Sequence, residues 1–128
     1  MSVRIVRLGS PRLPGEGPRL GTVRFPPRGV RKADLARLGY YDVWLPLLAP
    51  SRELLARGQH AGSDSDWNRF IRSYRAEMKA PDPARLLELL AVLSTVADFS
   101  VGCYCADEAR CHRSVLRSLL TGQGAQVI

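Results

Sequence analysis

Residues 81–120 read PDPARLLELLAVLSTVADFSVGCYCADEARCHRSVLRSLL, and this stretch decides the fold. Pro81 ends any helix before it, and Asp82 with Pro83 supplies a cap and first-turn proline for a helix over Ala84 to Ala97. That helix is apolar on nearly every side, which predicts packing against a sheet and a second layer. Phe99 to Cys105 is then a short β-rich run, expected to be an interior strand, and Ala106 to Arg110 a polar loop. Cys111 or His112 to Leu120 reads as a helix with Val115, Leu116 and Leu119 inward. Strand, helix, strand at this spacing predicts a right-handed βαβ crossover. The expectation is an α/β fold: a single-domain sandwich over residues 1–128, with a mostly parallel central sheet flanked by helices.

Upstream, Val3 to Leu8 alternates apolar and polar residues and reads as a strand ending at Gly9. Residues 9–21 are so dense in Gly and Pro that a loop is expected, with a second strand over Thr22 to Phe25. Lys32 to Leu38 predicts a short helix closed by Gly39, and Tyr41 to Leu48, broken by Pro46, an irregular buried segment. Ser51 caps a helix over Arg52 to Arg57. Asp64 or Ser65 caps another, whose Trp67, Phe70, Ile71, Tyr74 and Met78 share one buried face. Ala125 to Ile128 is expected to return as a last short strand.

The 128 residues are 45% hydrophobic and 24% charged, which excludes wholesale disorder, collagen-like repeats and coiled coil. The start, MSVRIVRL, carries charges where a signal peptide needs an apolar core. The longest apolar stretch, Leu86 to Ala97, is shorter than the ~20 residues that span a bilayer. A soluble, cytoplasmic protein with no membrane partner is expected. The net charge of +7 is uneven: residues 1–31 hold seven Arg against Glu16 alone. A phosphate-bearing partner suits that bias, because guanidinium forks match phosphate oxygens, although a coding bias toward Arg explains part of it.

All three cysteines lie within Cys103 to Cys111, which reads as a reduced thiol site rather than a disulfide framework. Cys105 ends the predicted strand at its carboxyl edge, where α/β sheets bind ligands, and the loop leads into a helix N-terminus that favours an anion. Cys111 stands there beside Arg110 and Arg113, where a thiolate is favoured, and His112 offers a ring that accepts a proton or binds a metal. Cys103, mid-strand, reads as core, and a histidine on the apolar face of Val115 and Leu116 is ordinarily structural. Cys103, Cys105, Cys111 and His112 have the ligand count of a zinc site. Their spacing argues against it, since structural zinc usually takes pairs two to four residues apart. No metal or cofactor is therefore expected. An Arg six residues after Cys105 would suggest a tyrosine-phosphatase loop, but that position is Cys111.

The run CADE (105–108), then CHR (111–113) and Leu116, resembles the C-terminal signature of the domain-of-unknown-function 488 family. VRFPPRGV (23–30), Trp44, LAPS (48–51) and WNRFIRSYRAE (67–77) are similar to its YeaO-like branch, over residues 20–120 in all. That branch generally has Trp-Pro-Arg-Gly where this chain has Pro26-Pro27-Arg28-Gly29, and it lacks the Cys-His-Arg triplet. The resemblance implies an α/β sandwich and carries over Arg24, Arg28, Cys105, Cys111, His112 and Arg113.

These readings converge on one expectation. Cys105, Cys111 and His112 are the candidate catalytic residues, for thiol chemistry with His112 as acid or base. Arg24, Arg28 and Arg113 are the candidate anion-binding residues, for a small anionic ligand with a nucleotide leading. The alternative is a non-catalytic nucleic-acid or nucleotide-binding module with structural cysteines. A third, plainer reading is a partner-binding domain whose Trp44 and Trp67 are core.

Overall fold

The computed structural model describes residues 1–128. Four strands, β1 (Val3–Arg7), β2 (Arg19–Gly21), β3 (Val43–Trp44) and β4 (Phe99–Cys103), form one sheet in the order β1-β4-β2-β3. Every pairing is parallel. The helices are α1 (Arg52–Gln59), α2 (Asp64–Glu77), α3 (Pro81–Leu93) and α4 (His112–Gly122). All four contribute to one core, in which Leu54, Tyr74, Leu87 and Leu116 meet Val3, Phe99 and Val101. This is an α/β fold with a parallel sheet flanked by helices. A second cluster gathers Leu8, Val23, Leu35, Tyr41, Cys103 and Cys111.

β4 is interior and buried at all five residues, as the apolar run predicts, but it stops at Cys103 rather than Cys105. β2 lies at Arg19–Gly21, inside the stretch read as loop, and not at Thr22 to Phe25. The breakers there serve close approach. A Cβ on Gly17 would overlap the Asp98 carbonyl, and one on Gly21 would run into the Tyr41 ring. The irregular segment holds β3 and a 3-10 turn at Pro46–Leu48, while the Lys32 helix is only a 3-10 turn, Lys32–Asp34. Ser63, not Asp64 or Ser65, caps α2 by accepting from the Asp66 N–H. α3 begins at Pro81, because a first-turn proline needs no N–H partner, and ends at Leu93. Its outer face is uncovered: Leu89 and Val92 are exposed, so the expected second layer over it is absent. The C-terminal strand reduces to one bridge, Val3 with Val127.

The loop before β2 is tied down by a buried ion pair. Arg19 Nε donates to Glu16 Oε2 at 2.6 Å and Nη2 to Oε1 at 3.1 Å, both side chains being 1% exposed. Nη1 donates to the carbonyls of Ser10 and Gly39, and Nη2 to that of Pro11. All five guanidinium protons are thus used, as a buried charge requires. Ser100 of β4 donates to the same carboxylate at 3.3 Å, joining this network to the sheet.

Burial alone would push the Glu16 carboxyl up, but the Arg19 hydrogen bonds and charge hold it below the usual carboxylate range. A depressed folded-state value gives stability that is present above the ordinary carboxylate pKa and lost as pH falls through the folded one. Glu16→Gln, which leaves the guanidinium buried without a counter-charge, is expected to cost about 3–5 kcal/mol at neutral pH. It should also flatten the acid limb of the stability profile. Urea unfolding at several pH values checks both; an unchanged acid limb would mean that Glu16 does not set the acid stability.

Candidate functional site

Because β1, β2 and β4 run parallel, their carboxyl ends share one edge. There β1 releases Arg7 and Leu8, β2 releases residues 22–28, and β4 releases Cys103 to Cys105. Thr22 joins three elements at this edge. Its N–H and hydroxyl donate to the Gly102 carbonyl at 3.0 and 2.9 Å, and its own carbonyl lies 2.7 Å from His112 Nε2 in the first turn of α4. A carbonyl only accepts, so Nε2 carries a proton. The other nitrogen, Nδ1, faces the Cys111 sulfur at 3.8 Å.

Cys111 is the N-cap of α4 and is buried, as are Cys103 and His112. The ligand atoms of these three lie within 4.8 Å of one another. Cys105 is exposed, and its sulfur sits 3.8 Å from that of Cys103. Thiol protons from Cys103 and then Cys105, together with His112, hold the Cys111 thiol well below the usual range. Hydrogen bonds to Cys105 and Cys111, with burial, push Cys103 up. At Cys105 the contact with Cys103 lowers the value, but the bond to Cys111 and burial outweigh it, and the net shift is upward. Of the three thiols only Cys111 is shifted downward, and it is buried while Cys105 is exposed.

Arg113 is 3% exposed, donates from Nη2 to the Cys105 carbonyl at 2.7 Å, and leaves its buried Nε without a partner. Arg110, expected beside it at the helix terminus, instead pairs with Asp64 and lies over the Trp67 ring.

A cleft of about 1090 Å³ opens over this edge. Arg7, Arg24, Arg28 and Arg52 line it together with Phe25, Tyr40, Tyr104, Cys103, Cys105 and His112. Arg24 is held by the carbonyls of Pro50 and Ala49 at 2.9 and 3.0 Å, Arg28 is exposed, and Arg52 lies over Phe25. The structure thus brings the N-terminal Arg pair and the cysteine cluster to one cleft. Cys111 and Arg113 sit behind its wall rather than on it. Arg7 and Arg52 escaped the sequence reading; the signal for Arg7 was its place at the carboxyl end of β1. A smaller hollow of about 420 Å³ between α1 and α2 includes Asp66 and no thiol.

A family model described as the active DUF488-N3 subclade matches residues 3–124. The chain belongs to that family. No curated protein and no solved structure matches it. Within this DUF488 chain no helix is long and apolar enough to cross a membrane.

Exposure and ionisation point to different cysteines, and alkylation separates them. In metal-free, folded protein Cys105 should react first, with Cys103 and Cys111 slow because both are buried. Mass-resolved labelling with iodoacetamide near neutral pH reads the order. Faster labelling of Cys111 would mean that the loop 104–110 opens far more readily than its packing implies.

Proposed function

We propose that this chain binds a small anionic ligand of the nucleotide or phosphate class in the cleft, and acts on it through the Cys-His-Arg cluster. One observation carries the reading: four Arg line the cleft and no carboxylate does. Elsewhere Arg12, Arg19, Arg31, Arg37, Arg69, Arg85, Arg110 and Arg117 each sit against an Asp or Glu. The cleft cations have no such partner; Arg4, Arg57, Arg72, Arg75 and Arg113 lack one too, but the cleft gathers four together around one hollow, where an outside anion can meet them. Guanidinium groups bind phosphate oxygens in pairs, and the rings of Phe25, Tyr40 and Tyr104 beside them suit a nucleobase.

In this reading Cys105 is the attacking sulfur. Its proton passes through the thiol cluster toward Cys111 and His112, the sulfur bonds to the electrophilic centre of the ligand, and the leaving group departs with the electrons of the broken bond and takes a proton from His112. Arg113 positions the loop by holding the Cys105 carbonyl. The description of the matching subclade as active supports chemistry on this scaffold rather than a purely structural role.

Calorimetric titration with inorganic phosphate and with adenosine monophosphate tests the anion site. Arg24→Ala and Arg28→Ala should each weaken binding by about 1.5–3 kcal/mol, roughly tenfold or more, the worth of a charged hydrogen bond. Failure of both probes to bind, combined with duplex DNA affinity falling with a log-log salt slope of several times about −0.9, would assign the cleft to nucleic acid.

A further inference from the structure

We propose that Cys103, Cys105, Cys111 and His112 form a site for one soft divalent metal ion, Zn²⁺ first among them. The spacing that argues against zinc in the sequence is a rule about local loops. Here the ligands come instead from a strand end and a helix start brought together by the sheet.

The distances fit. Two thiolates bound to zinc at about 2.3 Å in a tetrahedron stand about 3.8 Å apart, and a thiolate and an imidazole nitrogen about 3.6 Å apart. Cys103 and Cys105 sulfurs are separated by 3.8 Å, and Cys111 sulfur and His112 Nδ1 also by 3.8 Å. The histidine is already oriented as a ligand. With Nε2 committed to the Thr22 carbonyl, Nδ1 directs its lone pair at the cluster, which is how outer-shell carbonyls orient metal-bound imidazoles. Three sulfurs and one nitrogen select zinc over magnesium or calcium.

A second observation points the same way. Arg113 is buried, forms no ion pair with any carboxylate and keeps an unpartnered Nε, an arrangement that is costly unless an anion lies beside it. Three thiolates around Zn²⁺ carry one net negative charge and supply that anion. Uptake of the ion involves no oxidation: each bound thiol gives its proton to solvent and the sulfur lone pair to the metal. The metal site goes beyond the anion-cleft reading and does not depend on it. Metal binding and attack by Cys105 are mutually exclusive, so the metal-free protein is the form that does thiol chemistry.

The test titrates the reduced, chelator-stripped full chain with Co²⁺, followed by Zn²⁺. One Co²⁺ per chain with the intense visible bands of a tetrahedral thiolate site, displaced by one Zn²⁺, is expected. His112→Gln and Cys103→Ser should lower Zn²⁺ affinity by more than the roughly 10- to 100-fold loss typical of outer-shell changes. Because those positions are buried, Cys105→Ser on the exposed loop provides a variant that folds, and it should lose intensity in the sulfur-to-cobalt charge-transfer band. Only weak octahedral bands in the parent protein, or an unchanged spectrum in Cys105→Ser, overturns the assignment. Arg28→Ala should keep the cobalt spectrum. Loss of phosphate binding in that variant with the spectrum intact concerns the cleft alone, and a parent protein that binds phosphate but not Co²⁺ overturns only the metal site.

Discussion

Strand β4 is paired on both sides by parallel neighbours, β1 with Arg7 opposite Cys103 and β2 with Gly21 opposite Gly102. Both of its edges are satisfied and all five residues are buried, so it cannot shift register without exposing Phe99 and Val101 or stranding its amides. Parallel pairing also sends the ends of β1, β2 and β4 to the same edge. The cleft, its arginines and its thiols are consequences of that one geometric constraint.

Thr22 converts strand alignment into a site. By bonding Gly102 on one side and His112 on the other, it fixes the first turn of α4 against the end of β4. Cys111 then meets Cys103 as a packing neighbour in the same buried cluster, which places a polarisable group where an ordinary core would put an aliphatic one. Tyr74 closes the site from the helix layer, with its ring edge against His112 and its hydroxyl on the Leu48 carbonyl at 2.6 Å. The histidine is thus a buried core residue that still presents Nδ1 to the Cys111 sulfur, so burial and availability to the thiols are compatible in one side chain.

The two faces of α3 show how composition misleads. Leu87, Leu90 and Ala91 pack inward, while Leu89 and Val92 are as apolar and lie in solvent. A helix that is apolar all round looks the same in sequence whether one side or both are covered. The opposite error occurs at Glu16 and Arg19, which charge alone assigns to the surface, and which are buried because each satisfies the other.

By itself the sequence determined the elements with strong local periodicity or capping: the interior strand β4, the amphipathic helices α2 and α4, and the clustering of cysteines and histidine at one strand-to-helix junction. Hydrophobic period and cap chemistry are local, so they are legible without coordinates. Only the tertiary structure decided where β2 lies, because the clearance that calls for Gly17 and Gly21 is set by Asp98 and Tyr41, residues far along the chain. It also decided which cysteine meets solvent, which arginines line the cleft, and that the ligand atoms of Cys103, Cys111 and His112 converge. Burial, pairing and convergence are relations between segments, and they exist only once parallel strands have brought those segments to a common edge.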